Sequence, residues 1–388
     1  MIRVLSIFGT RPEAVKMAPV VLALAEHRDE IESVICVTAQ HREMLDQVLS
    51  LFQITPDFDL NLMSENQSPG SVTSVAVGAI GDVIASVRPG LVLVQGDTTT
   101  AMVAALAAFY AQVPVGHVEA GLRTGSRYRP FPEEMNRRLL SVLSTYHFAP
   151  TDRAAEALRR EGISPDRIFV TGNPGIDALQ LIAKRRPTPA TASCIERLGL
   201  NGNGADHHHL VLVTAHRREN WGGPLENVCS ALSTLIERNA DMVLVFPVHR
   251  NPSVRETIFA RLAERDRIHL LDPVSYETLV HLMSLADVVL TDSGGIQEEA
   301  PALGKPVLVL RDETERPDGV ELGNAKLVGT KSAVIIAETE RLFRDREAYN
   351  RMARPAWPYG DGRSAERIIG IVRQLSRDVH DAAHVARV

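Results

Sequence analysis

The sequence predicts an α/β protein of two similar halves, each a parallel sheet covered by helices, facing a central cleft. Three observations predict it. Short apolar runs alternate with longer amphipathic stretches along the chain, as parallel strands joined by crossover helices require. The alternation stops once, at a stretch of polar and breaker residues, and then restarts. Polar residues able to meet a ligand cluster just after the apolar runs, where open α/β sheets hold their ligands.

In the first half, strands are expected at residues 4–8, 33–38, 91–95, 114–118 and 146–149. Helices are expected at 14–26, 42–51, 71–86, 99–110 and 133–143. Breakers accumulate at 184–189 and again at 201–206. The second half then offers strands at 210–213, 243–247, 268–271, 288–290 and 307–310. Domains are therefore expected over 1–175 and 176–363. A last segment, 364–388, would rejoin the first domain, helical from 364 to 376 and loose after Asp378.

A length of 388 residues suits two ordinary domains, and 45% hydrophobic with 23% charged residues suits a soluble globular chain. A net charge of −6 supplies no general basic field, which argues against nucleic acid as partner. Cys36, Cys194 and Cys229 are scattered and odd in number, so a disulfide framework is not expected and a reducing compartment is. The chain enters a strand pattern at residue 2 without a signal peptide, and no apolar stretch looks long enough for a bilayer. A cytoplasmic protein without membrane contact is the expectation. His207, His208 and His209 cannot all point one way and have no partners at ligand spacing, so they read as a solvated loop and not a metal site.

The most informative motif is Thr291-Asp292-Ser293-Gly294-Gly295-Ile296-Gln297-Glu298-Glu299. A strand breaks at a hydroxyl and two glycines, and a helix pattern opens at Ile296. Unpaired N–H groups and a partial positive charge at a helix start favour an anion such as phosphate. Ser293, Gly294 and Gly295 would let it approach the backbone. Glu299, more than a turn deeper, would accept hydrogen bonds from sugar hydroxyls. Together they suggest a nucleotide diphosphate site.

Other motifs also follow strands. Gly9-Thr10-Arg11-Pro12-Glu13, with Lys16, has Pro12 suited to a helix start and Arg11 and Lys16 placed to reinforce phosphate binding. Gln95-Gly96-Asp97-Thr98 and His117-Val118-Glu119-Ala120-Gly121-Leu122-Arg123 end neighbouring strands. Pro130-Phe131-Pro132-Glu133-Glu134-Met135-Asn136-Arg137 adds carboxylates and an arginine at a helix start. Repulsion and burial among Asp97, Glu119 and Glu133 or Glu134 would suit proton transfer near neutral pH. In the second half, Thr214-Ala215-His216-Arg217-Arg218-Glu219-Asn220 would aim His216 at a departing phosphate. His249 and Arg250 are similarly placed. Arg316, in Thr314-Glu315-Arg316-Pro317, is a further phosphate or substrate contact.

In order and length, these motifs resemble the bacterial non-hydrolysing UDP-N-acetylglucosamine 2-epimerases, from near residue 1 to about residue 330. The resemblance implies two Rossmann-like domains of the glycosyltransferase-B or glycogen-phosphorylase type, usually as a homodimer. It implies interconversion of UDP-GlcNAc and UDP-ManNAc by anti elimination of UDP, a 2-acetamidoglucal intermediate and re-addition of UDP. The product would feed surface polysaccharide synthesis. No nicotinamide or obligatory metal is implied. Asp97, Glu119 and Glu133 would form the acid/base set, with their individual steps open and Glu133 close to Glu134 in merit. His216 would act on the developing charge. Arg11, Lys16, Arg137, Ser293, Gly294, Gly295, Glu299 and Arg316 would bind substrate, and residues 272–279, with Val274 and Leu279, would border the uracil. Gln40, Arg217 and His249 match positions of a second, activating UDP-GlcNAc site. Glu43 stands where a glutamine is expected and Asn66 where an arginine is. The lost charge-assisted contact implies weak or absent activation, hence a rate curve that is not strongly sigmoidal.

Three alternatives compete. A hydrolysing 2-epimerase would release free ManNAc, a glycosyltransferase would need an acceptor, and a nucleotide-sugar sensor would bind without C2 proton exchange.

Overall fold

The protein is described here from a computed structural model covering residues 1–39, 42–62, 69–128, 130–200 and 209–385. Two compact units emerge: Met1–Gln180 with Tyr359–Val388, and Leu181–Pro358.

In chain order the first unit contains β1 (Ile2–Phe8), α1 (Arg11–Glu26), β2 (Ile31–Val37), α2 (Arg42–Phe52), β3 (Phe58–Asp59), α3 (Pro69–Val87) and β4 (Leu91–Gln95). It continues with α4 (Thr99–Tyr110), β5 (Val115–Val118), α5 (Glu133–Leu143), β6 (Tyr146–Ala149), α6 (Asp152–Arg160), β7 (Ile168–Val170) and α7 (Pro174–Ala183). All its strand pairs are parallel, in the order β3-β2-β1-β4-β5-β6-β7. The chain runs outward from β1 to one edge, then returns to start β4 on the other side of β1. The gap between the ends of β1 and β4 is thus the topological switch point, where such sheets open a crevice.

Central strands are apolar on both faces because helices cover both. All five residues of β4 are buried. Leu5, Ile7, Val92 and Val94 pack with Ala76, Ile80 and Ile84 of α3 and with Ala101, Ala104 and Ala108 of α4. Helix α1 starts at a reciprocal cap: Thr10 accepts from the Glu13 amide, and the Glu13 carboxylate accepts from the Thr10 amide at 2.7 Å.

The second unit contains α8 (Pro189–Arg197), β8 (His209–Thr214), α9 (Gly223–Arg238), β9 (Met242–Pro247), α10 (Pro252–Leu262), β10 (Ile268–Leu271), α11 (Tyr276–Leu285) and β11 (Val288–Thr291). Then follow α12 (Gly294–Ala302), β12 (Val307–Val309), α13 (Pro317–Glu321), β13 (Ala325–Leu327), α14 (Ser332–Arg344) and α15 (Arg346–Met352). Its six-strand order, β10-β9-β8-β11-β12-β13, repeats that of the first unit up to β6, with a switch point between β8 and β11. Val211, Val213, Leu244, Phe246, Val288 and Leu290 form its core with Leu232 and Leu235 of α9.

The last helix, α16 (Ser364–Val385), runs past the expected end at residue 376 and through Asp378, where a loose tail is expected. Its residues Ile368, Ile369 and Val372 are buried, and Arg373 pairs with Glu30 of the first unit at 2.5 Å. Strands β3, β7 and β13 have two or three residues each, too few for a periodic signal in the sequence.

One expectation is corrected. An apolar stretch of bilayer length exists: Gly70–Val87 of α3 has a mean hydropathy of 1.5 over 18 residues, of which 33% are buried. Its valines, isoleucines and alanines are broken only by small residues and Asp82, so composition passes the test. Val72, Ala76, Ile80, Val83, Ile84 and Val87 turn into the core of the first unit.

Candidate active site

The expected residues gather at the two switch points, and each point is described within its own unit. In the first, Asp97 and Glu119 follow β4 and β5, and Glu133 opens α5. Glu119 has φ +65°, a left-handed backbone that is uncommon for residues other than glycine. A Cβ placed on Gly96 would lie 3.8 Å from Glu119 Oε2, so this carboxylate stands beside the turn that carries Asp97.

Lys16 meets a carboxylate of its own unit. Its Nζ donates to both oxygens of Glu119, at 2.6 and 2.7 Å. One helical turn into α1, it has turned inward to compensate a buried carboxylate. Gln95 Nε2 also donates to Glu119, and Asn173 Nδ2 does so at 3.3 Å.

Arg137 is likewise engaged within the protein. Its Nε and Nη2 meet Asp97 Oδ2 at 2.8 and 2.6 Å, and its Nη1 meets Glu134 Oε2 at 3.1 Å. Asn136 Nδ2 donates to the Asp97 carbonyl at 2.9 Å. His117 is buried and its Nε2 lies 2.7 Å from the Gly96 carbonyl, to which it donates. Burial pushes its pKa down to about 4, against the pull of that carbonyl, so the ring is neutral at ordinary pH. His117 and Asn136 thus hold two successive carbonyls, and Arg137 holds the carboxylate of Asp97.

The same helix distinguishes its two glutamates. Glu134 is fully buried and accepts from the amides of Thr124 and Gly125 as well as from Arg137. Glu133 is partly exposed, and its Oε2 meets no hydrogen-bond donor among the described residues. Glu134 is committed to the fold, whereas Glu133 keeps one buried oxygen that no described donor satisfies. Arg11 occupies the first residue of α1, at the carboxyl end of β1.

In the second unit, α12 opens at Gly294, two residues before the expected start, with Ser293 as its N-cap. Ser293 makes no side-chain capping bond, so its hydroxyl is not spent on the helix. The first amides of α12 have no capping bond from Ser293, the arrangement that suits an anion. Arg316 lies across this start, with a Cβ placed on Gly294 falling 3.1 Å from its Cζ. Its Nε meets Glu298 at 2.8 Å and its Nη1 meets Glu315 at 2.8 Å.

Glu315 also pairs with Arg217 at 3.1 Å and Arg311 at 2.7 Å. Burial pushes its carboxyl up, but the guanidinium groups of Arg316, Arg311 and Arg217 outweigh that and hold it at about 2. One carboxylate thereby gathers three arginines beside an anion-favouring helix start. Exchanging Gly294 for alanine tests this geometry. Gly294→Ala would press on Arg316 and narrow the approach, raising KM for the nucleotide sugar about tenfold, or ~1.4 kcal/mol. The effect on stability is set by whether Arg316, held by Glu298 and Glu315, can give by a few tenths of an ångström. Steady-state kinetics beside urea unfolding reads both, and an unchanged KM would remove Gly294 from the site.

His216 follows β8, and Asp292 follows β11. Buried Asp292 accepts from the amides of His216, at 3.0 Å, and Arg217, at 2.9 Å, and from Asn220 Nδ2 at 2.9 Å. His216 Nδ1 lies 3.3 Å from Asp292 Oδ1, and its ring stacks on His249 at 5.8 Å. Glu299 accepts from the Tyr276 hydroxyl at 3.2 Å, which ties α12 to the segment carrying Val274 and Leu279.

Of the expected second-site residues, Arg217 and His249 adjoin His216, and Glu43 lies exposed in the first turn of α2. Gln40 and Asn66 lie outside the described residues, as do His207 and His208. His209 starts β8, and no group of three metal-ligating side chains forms among the described residues. Asp292, Arg311, Glu315 and Asn173 have no role in the sequence reading. Asp292 stands inside the expected motif, but only its contacts with His216 distinguish it.

Two units with the same strand order, each with polar groups gathered at its switch point, define a tandem Rossmann-like protein of the glycosyltransferase-B-like fold. Comparison with known proteins narrows the class. The family model described as UDP-N-acetylglucosamine 2-epimerase matches residues 23–373, and the chain belongs to that family of enzymes. It is 50% identical over 370 residues to the UDP-N-acetylglucosamine 2-epimerase of Salmonella typhimurium, covering 95% of this chain and 97% of that one. The crystal structure of the UDP-GlcNAc 2-epimerase from Neisseria meningitidis bound to UDP-GlcNAc matches with TM-score 0.88 and 47% identity, covering 96% of this chain and 100% of the other. That from Methanocaldococcus jannaschii, in complex with UDP-GlcNAc and UDP, matches with TM-score 0.80 and 33% identity, over 95% and 99%.

Proposed function

We propose that the protein interconverts UDP-GlcNAc and UDP-ManNAc by reversible epimerisation at C2. Family membership over nearly the whole chain carries this reading. A carboxylate takes the C2 proton, the C1–O bond to UDP breaks, and the electron pair of the C–H bond forms the C1=C2 double bond of 2-acetamidoglucal. UDP then adds back at C1 and a proton is delivered to the opposite face of C2. The C2 hydrogen is weakly acidic, so departure of the diphosphate must draw charge away as the proton leaves, and cations at the diphosphate stabilise both departure and return.

Asp97, Glu119 and Glu133 form the acid/base set. Glu133 is favoured over Glu134 because its Oε2 is unsatisfied, whereas Glu134 is bound to Thr124, Gly125 and Arg137. Arg11, Arg316, Ser293, Gly294, Gly295 and His216 meet the diphosphate, and Glu299 meets the ribose. Val274 and Leu279 border the uracil. Lys16 and Arg137 act by holding Glu119 and Asp97.

Incubation with UDP-GlcNAc in D2O, followed by NMR, tests the reaction. Deuterium at C2 of both UDP-sugars with little free sugar is the expected result. Free ManNAc accumulating with UDP would move the assignment to hydrolysis, and binding without exchange would refute epimerisation.

The protein acts as a homodimer. Three neighbouring helices of the first unit expose apolar side chains: Val75 of α3, Phe109 and Tyr110 of α4, and Leu139 and Val142 of α5. A second copy is the occupant that family resemblance supports, and a monomer in sedimentation velocity at micromolar concentration would refute it.

A further inference from the structure

His216 is held between two opposite influences. Asp292, fully buried, faces Nδ1 at 3.3 Å. A carboxylate facing Nδ1 at ion-pair distance favours the ring hydrogen on Nδ1, which leaves the lone pair on Nε2. The other charged or titratable groups around the ring are Arg217 beside it in sequence, His249 after β9, and Arg311 after β12. Burial is the largest influence and pushes the ring's pKa down. Asp292 opposes it, and the three cationic or titratable neighbours add to it.

A bare lone pair on Nε2 would repel phosphate oxygens. An incoming diphosphate also places negative charge against Arg217 and Arg311, the groups that discourage protonation of the ring. Both effects act in one direction.

We propose that Asp292 and His216 form a dyad that takes up one proton, at Nε2, when the diphosphate of a nucleotide sugar binds. This rests on the reading that the diphosphate lies at the start of α12, beside His216. The proton comes from solvent, and the Nε2 lone pair accepts it. Asp292 is a positioning residue: it fixes which nitrogen faces the ligand and stabilises the imidazolium that forms, as a buried aspartate does in serine hydrolases. The imidazolium then donates to the oxygen that leaves C1 and releases it when that oxygen returns.

Titration calorimetry tests this with the full-length protein and an equilibrated mixture of UDP-GlcNAc and UDP-ManNAc. Near neutral pH the heat is measured in buffers of different ionisation enthalpy. The diphosphate diester does not titrate there, so any exchanged proton belongs to the protein. The wild-type slope should give an uptake of about one proton per site, and affinity should weaken by up to about tenfold per pH unit on the alkaline side. His216→Gln should abolish the uptake. Asp292→Asn should reduce uptake to less than half even where ligand still binds, which a purely structural aspartate would not do. Binding heat independent of buffer in the wild type, or uptake that survives in His216→Gln, would overturn the dyad. Absence of any binding heat would instead remove the diphosphate reading on which the dyad rests.

Discussion

Exchanging Glu133 for glutamine should abolish most turnover and leave stability intact, whereas the same change at Glu134 should do the reverse. Glu133→Gln removes a carboxylate with an oxygen that no described donor meets. Loss of one acid/base group costs about 10²–10⁴ in rate. Glutamine keeps the shape of the side chain and replaces no described hydrogen bond of that oxygen, so stability changes by no more than about 0.5 kcal/mol. Glu134→Gln breaks a buried pair with Arg137 and disturbs acceptors of two backbone amides. Removing one partner of such a pair costs about 3 kcal/mol or more. That lowers the unfolding midpoint of a unit this size by roughly 6–12 °C. Its rate falls less, through Arg137 and Asp97. Calorimetric scans and initial rates for both variants check the assignment. A stable, inactive Glu134→Gln beside an active Glu133→Gln would reverse it.

Replacing Lys16 by methionine should destabilise the first unit by about 3–5 kcal/mol, because it leaves Glu119 buried without its ammonium partner. Glu119 has a side chain only 4% exposed, and Lys16 spans both its oxygens. Gln95 and Asn173 still donate, but neither carries charge. Adding Glu119→Gln to Lys16→Met should recover much of the loss, since the buried carboxylate charge that Lys16 met is gone. Urea unfolding of the two single variants and the double variant gives the coupling directly. A Lys16→Met variant within 0.5 kcal/mol of wild type, on the order of an ordinary surface change, would show that the ammonium does not compensate Glu119. Turnover should fall with either change, because the carboxylate beside Asp97 is displaced or neutralised.

These contrasts show where sequence reasoning stops. It locates the loop after β1, Gln95–Thr98, the segment after β5, and the Thr291–Glu299 motif because parallel sheets collect the carboxyl ends of their strands at one edge. Any polar motif that directly follows an apolar run is therefore near the site. The orientation of a side chain within such a motif is a separate matter. Lys16 could face a phosphate or a carboxylate with equal local propriety. It turns to Glu119 because β5 brings a buried charge within reach of α1, from 103 residues away.

The sequence by itself determined the α/β class, the two halves, the motifs at the strand ends and the family they resemble. Each rests on local patterns: apolar periodicity, breakers and contiguous motifs. Tertiary structure alone decided that Lys16 and Arg137 hold carboxylates, that Glu134 and not Glu133 is committed to the fold, and that Glu315 gathers three arginines. It also decided that the buried carboxylate of Asp292 faces His216. Each of these depends on compensating a buried charge, and the compensating group is the nearest in space, brought there by sheet order and not by position along the chain.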